Sequence, residues 1–100
     1  MNSKHYEEER KLRDLIIRAI GLGNVIKVKE FDKGHVNGPE IHVLSDTGII
    51  TIYNKATKKM VTRLIARPGQ VKRFYADNER IPRDLMQKAR EHTNMGWNEA

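Results

Sequence analysis

The sequence predicts an α+β fold: an N-terminal helix packed on a four- to five-stranded antiparallel sheet, with a C-terminal helix. Three observations carry that expectation. An apolar stripe at helical spacing opens the chain, short β-branched runs separated by turn residues fill its middle, and a second helical stripe introduced by proline follows. The chain has 100 residues, 38% of them hydrophobic, which is enough for one core and too little for two. Residues 1–93 therefore read as a single domain and 94–100 as a C-terminal tail.

The first helix is expected from about Ser3 to Ile20. Leu12, Leu15, Ile16, Ala19 and Ile20 recur at i, i+3, i+4, i+7 and i+8, a single stripe. Asn2 or Ser3 can cap its start, and Glu7, Glu8 and Glu9 favour the positive end of the helix dipole. Gly21 and Gly23 supply the stop. Asn24–Phe31 reads as a strand with its lysines pointing outward. Glu40–Leu44 and Ile49–Asn54 read as a hairpin around Ser45-Asp46-Thr47-Gly48. With Asp46 and Thr47 as a two-residue loop, Val43 opposes Ile50, Ile41 opposes Ile52, His42 opposes Thr51 and Glu40 opposes Tyr53. That register places Ile41, Val43, Ile50 and Ile52 under the first helix, and Glu40, His42, Thr51 and Tyr53 on the other face. Met60–Arg67 reads as a fourth strand, Pro68-Gly69 as a type II turn and Gln70–Tyr75 as a fifth strand. Pro82 suits the first position of a helix over about Pro82–His92, with Ile81, Leu85 and Ala89 on its packed face. Asn94 or Gly96 ends it, and Trp97 is either a docked anchor or part of the tail.

Charge is distributed unevenly. The net charge is +6, yet residues 1–54 carry 8 Lys/Arg and 8 Asp/Glu, whereas residues 55–90 carry 11 Lys/Arg and 3 Asp/Glu. A basic half on a neutral partner half is the footprint of a polyanion binder, with nucleic acid, RNA in particular, as the expected partner. A membrane partner is not expected: there is no run approaching the about 20 apolar residues of a spanning helix, and no basic helix face carries bulky aromatics. The start lacks the apolar core of a signal peptide, and the absence of Cys excludes disulfides and thiolate metal sites. A cytoplasmic protein without a cofactor is the expectation.

Two stretches can carry chemistry. In His35-Val36-Asn37-Gly38-Pro39-Glu40-Ile41-His42, two imidazoles and a carboxylate lie within eight residues. Cleavage of RNA by its own 2′-hydroxyl needs a base, an acid and cations around the phosphate, and His can take or give a proton near neutral pH. Glu40 and His42, two apart on a strand, project from one face. The spacing matches no zinc pattern, so no metal is expected. The alternative for Glu40 and His42 is an ordinary solvent-facing strand. In Thr62–Tyr75, Arg63, Arg67, Lys72 and Arg73 are interleaved with Phe74 and Tyr75. Arginine forks bind phosphate oxygens and aromatic rings stack on bases, which makes Arg63, Arg67, Lys72, Arg73, Tyr53 and Tyr75 the candidate nucleic-acid contacts and His35, Glu40, His42 and Arg63 the candidate catalytic group. Phe74, alternating with Arg73, is expected in the core. His5 and His92 are expected on helix surfaces. No Walker A, nucleophile-elbow or kinase motif is present.

A basic chain of this size, with an opening helix followed by strands such as Gly48–Asn54 and Lys59–Leu64, resembles the small microbial nucleases and toxins grouped with barnase, EndoU, colicin nuclease domains and RelE. The resemblance covers about residues 5–75. It implies an α+β nuclease fold, with a site on the sheet face drawn from His35, His42, Arg63 and Arg73 together with Thr62. The expected function is a metal-independent endoribonuclease of toxin type. In that mechanism Glu40 or His42 removes the 2′-hydroxyl proton, His35 or His42 protonates the leaving oxygen, and Arg63, Arg67 and Arg73 hold the phosphate. Two alternatives fit the same length and charge: a non-catalytic RNA or DNA binder, and a phage or mobile-element accessory protein that binds a host protein complex. A protein partner would be an antitoxin or such a complex.

Overall fold

The computed structural model describes residues 3–32 and 38–99. Helix α1, Ser3–Ile20, is followed by β1, Val25–Phe31; β2, Glu40–Ser45; β3, Ile49–Asn54; and β4, Met60–Ile65. A short helix α2, Pro68–Lys72, helix α3, Arg83–Asn94, and a terminal 3-10 turn, Trp97–Glu99, complete the chain. The strands form one antiparallel sheet in the order β1-β2-β3-β4. The architecture is thus the expected α+β fold, with four strands.

The fifth strand expected over Gln70–Tyr75 is instead α2 and the turn after it. Pro68-Gly69 opens a helix and makes no hairpin turn. Proline's fixed φ suits a helix's first residue, and Gln70 Oε1 accepts the Arg67 N–H at 2.9 Å, satisfying a donor at the helix start. The fourth strand correspondingly stops at Ile65, two residues short of Arg67.

The hairpin register differs from the expectation by one residue. Leu44 opposes Ile50, Val43 opposes Thr51, His42 opposes Ile52, Ile41 opposes Tyr53 and Glu40 opposes Asn54. The cause is Gly48, whose φ of +83° adds a third loop residue after Asp46 and Thr47. The Gly48 N–H closes the turn on the Ser45 carbonyl at 3.1 Å, and the Ile49 N–H donates to Ser45 Oγ at 3.1 Å. A left-handed glycine after a tight turn is the usual three-residue hairpin loop. Because side chains alternate with period two, this single residue exchanges the faces of β3 relative to β2.

One face therefore carries Glu40, His42 and Leu44 beside Ile50 and Ile52. Leu44, Ile50 and Ile52 pack with Ala66, Val71, Leu85, Met86 and Ala89, and Phe74 and Ile81 close the edge of this main core. The C-terminal segment, not α1, covers it. The opposite face carries Ile41, Val43, Thr51 and Tyr53. There α1 covers only one end, where Ile17 meets Ile49 and Ile65, flanked by Ile16, Ile20 and Trp97. The buried stripe of α1 is accordingly rotated from the expected one: Leu12 and Leu15 remain 50% and 60% exposed. The helix lies against the β4 edge instead of across the sheet, and Arg13 Nη2 donates to Thr62 Oγ1 at 3.4 Å.

Helix α3 starts after Pro82, carries Asp84 in its first turn, and ends before Gly96 at φ +73°. Trp97 is docked, its ring stacked on His92 with centroids 5.5 Å apart. His92, expected on the helix surface, is buried at 6% exposure because α3 turns that side toward the Gly48 loop and Trp97. Burial holds its imidazole below the ordinary value, reinforced by Lys88 and opposed by Glu91.

Candidate nucleic-acid interface

Strand β1 is an edge strand, and its alternate residues Lys27, Lys29 and Phe31 project from the same face. These positions pair with Leu44, His42 and Glu40 of β2, so they belong to the face that holds the main core. At this margin the core gives way to a polar and aromatic strip. Lys29 Nζ donates to the Arg73 carbonyl at 2.9 Å and lies 5.5 Å from the Phe31 ring centroid. The Phe31 and His42 rings are tilted against each other at 4.4 Å. Lys27 Nζ sits 4.8 Å from the Tyr75 ring centroid and forms an ion pair with Glu79.

The electrostatics follow from these contacts. Glu79 accepts the Ala76 N–H at 3.0 Å, and this bond, with Lys27, holds its carboxyl below the usual carboxylate range. Burial raises the Tyr75 phenol, partly offset by Lys27. Lys29 and Lys27 thus hold their ammonium groups over ring faces, the attractive side of an aromatic quadrupole. Lys72 and Arg73, at the end of α2, are exposed beside this strip.

Glu40 and His42 come together as their spacing requires. Glu40 Oε1 lies 3.1 Å from His42 Nε2, Glu40 is buried and His42 half-buried. A carboxylate beside an imidazole fixes which ring nitrogen carries the proton. Such a pair can take up and return a proton.

The other candidates are separated from this pair. Arg63 opposes Thr51 in the ladder, whereas His42 opposes Ile52, so Arg63 projects from the opposite face. Tyr53, paired with Ile41, also lies on that opposite face, not beside Glu40 and His42 as the expected register would place it. Arg67 is exposed at the start of α2. Arg73 and Tyr75 adjoin the strip, though from a turn and not from a fifth strand. His35 lies outside the described residues. Nothing in the composition singles out Lys27, Lys29 and Phe31, because lysines on an edge strand are ordinarily simple outward charge. The available signal was the Lys-x-Lys-x-Phe alternation on a strand.

Among the described residues, no three His, Asp or Glu side chains are placed to hold a metal ion. No helix among them is long and apolar enough to cross a membrane. No protein-family model, curated protein or solved structure matches the chain.

Proposed function

We propose that the protein binds RNA along the β1 margin of its sheet. The observation that carries this reading is the interleaving of Lys27 and Lys29 with the rings of Phe31, His42 and Tyr75, with Lys72 and Arg73 alongside. Cations track a phosphate backbone while rings offer stacking surface, the combination that holds single strands with little sequence preference. The excess of 11 Lys/Arg over 3 Asp/Glu in residues 55–90 adds a long-range attraction for the same polymer.

The test is fluorescence anisotropy with single-stranded RNA and DNA oligonucleotides across a salt series. Affinity is expected to fall steeply with salt, as phosphate contacts release counterions. Lys29→Gln and Lys27→Gln should each weaken binding and lower the logarithmic salt slope by about 0.7. Unchanged affinity and slope in both variants would overturn the reading.

The Glu40–His42 contact favours a second reading, a metal-independent endoribonuclease. Here Glu40 takes the 2′-hydroxyl proton, the 2′-oxygen attacks phosphorus, and the P–O5′ bond breaks as His42 protonates the departing oxygen. Incubation of RNA with purified protein in chelator separates the two. Shortened RNA that is lost with His42→Ala supports cleavage, whereas retarded but intact RNA leaves binding alone.

A further inference from the structure

On the far side of the molecule, away from the Glu40–His42 face, α1 and β4 enclose a cavity of about 380 Å³. Arg10, Asp14 and Arg18 line it from α1, and Arg63 faces them from β4. The helical residues are spaced by four, so they stack along one side of α1. Three guanidinium groups against a single carboxylate leave a net charge of +2. Among the described residues none of these four groups forms an ion pair. Arg63 Nε is moreover buried with no hydrogen-bond partner among the described residues. A buried charged donor without an acceptor is costly. Leu22 and Met60, each about half exposed, add apolar wall. The volume lies within the range of small-ligand sites, about 300–1,000 Å³.

We infer that this cavity binds a phosphate monoester carrying a planar or apolar body, a mononucleotide or the phosphorylated end of a strand. A phosphate monoester brings about −1.5 to −2 charges at neutral pH, which matches the arginine excess, and its oxygens accept bidentate guanidinium bonds. The ester's body lies against Leu22 and Met60. The site is independent of the proposed RNA strip, because it uses neither β1 nor the Glu40–His42 pair.

Isothermal titration of the full chain with adenosine 5′-monophosphate, adenosine and inorganic phosphate tests this. The monophosphate should bind and adenosine should not, with phosphate alone weaker than the nucleotide. Arg18→Gln and Arg63→Gln should each weaken nucleotide binding about tenfold or more, as loss of a charged hydrogen bond implies. Arg18 is exposed, so its variant keeps the fold even if Arg63→Gln loses it. Equal binding of adenosine and its monophosphate, absence of binding, or an Arg18 variant as tight as the parent would overturn the inference. A second arm compares 5′-phosphorylated with 5′-hydroxyl oligonucleotides. A preference for the phosphorylated strand assigns the cavity to a strand end, and equal affinity assigns it to a free nucleotide. Failure of the RNA strip shows separately, as Lys29→Gln without effect on RNA.

Discussion

The position of His42 relative to the rest of the sheet depends on Gly48, and substitutions there separate two causes of strain. Gly48 has φ +83°, and a Cβ built on it meets His92 Cε1 at 3.5 Å, an ordinary van der Waals distance. Space is therefore available, and the cost of Gly48→Ala is the left-handed backbone alone, about 1–2 kcal/mol. For a domain of this size that lowers the melting temperature by about 4–8 °C per kcal/mol. Asn is larger than Ala but tolerates the left-handed region better. Gly48→Asn should consequently lose less stability than Gly48→Ala. Gly23→Ala supplies the contrast: its φ is +68°, and its Cβ would fall 2.2 Å from Asp46 Oδ1. That oxygen accepts the Asn24 N–H at 2.9 Å, so Gly23→Ala also disrupts this bond, at a further cost of about 1 kcal/mol. Urea unfolding of the three variants gives the order directly. Greater destabilisation by Asn than by Ala at position 48 would show that crowding against His92 governs the site, and the backbone argument for the register would fail.

Leu44→Ala, which empties a fully buried position of the main core, should destabilise the protein by about 2–5 kcal/mol in the same urea measurement, whereas Leu15→Ala, at a 60% exposed position, should cost much less. His92 makes stability pH-dependent. Its imidazole is held below the ordinary value chiefly by burial, so the unfolded chain binds the proton more readily. This contribution is fully present above the unfolded value of about 6.5 and is lost as pH falls below it. Melting temperatures between pH 7.5 and 5, as approximate working limits, should fall more steeply for the parent than for His92→Gln; parallel slopes would remove His92 as the cause. Loss of the Glu79 contribution belongs to more acidic conditions, below the ordinary carboxylate value near 4.5, and does not overlap that window.

Much of the fold was legible locally. The extent of α1 follows from its apolar spacing and the glycines beyond it, and β3 from the turn residues that flank Ile49–Asn54. Pro82 and Gly96 bracket α3 because one lacks an N–H and the other tolerates positive φ. Pro68-Gly69 misled, since the same proline suits a turn and a helix start, and the deciding contact is made by Gln70 two residues later. In the site, the proximity of Glu40 and His42 was readable from alternation alone. Whether Arg63 joins them was not, because it depends on the pairing of β2 with β3 and of β3 with β4. The burial of His92 likewise arises from the approach of the Gly48 loop and Trp97, which no local spacing encodes.

The chain's own residues determined the number of principal helices, the location of most strands, and the concentration of positive charge after residue 54. These are properties of short windows and of composition. Only the folded arrangement decided which side of the sheet each side chain occupies, which helices cover it, and that Arg10, Arg18 and Arg63 meet around one cavity. The physical reason is that a strand's pattern repeats every two residues, so one left-handed glycine suffices to exchange its inner and outer sides.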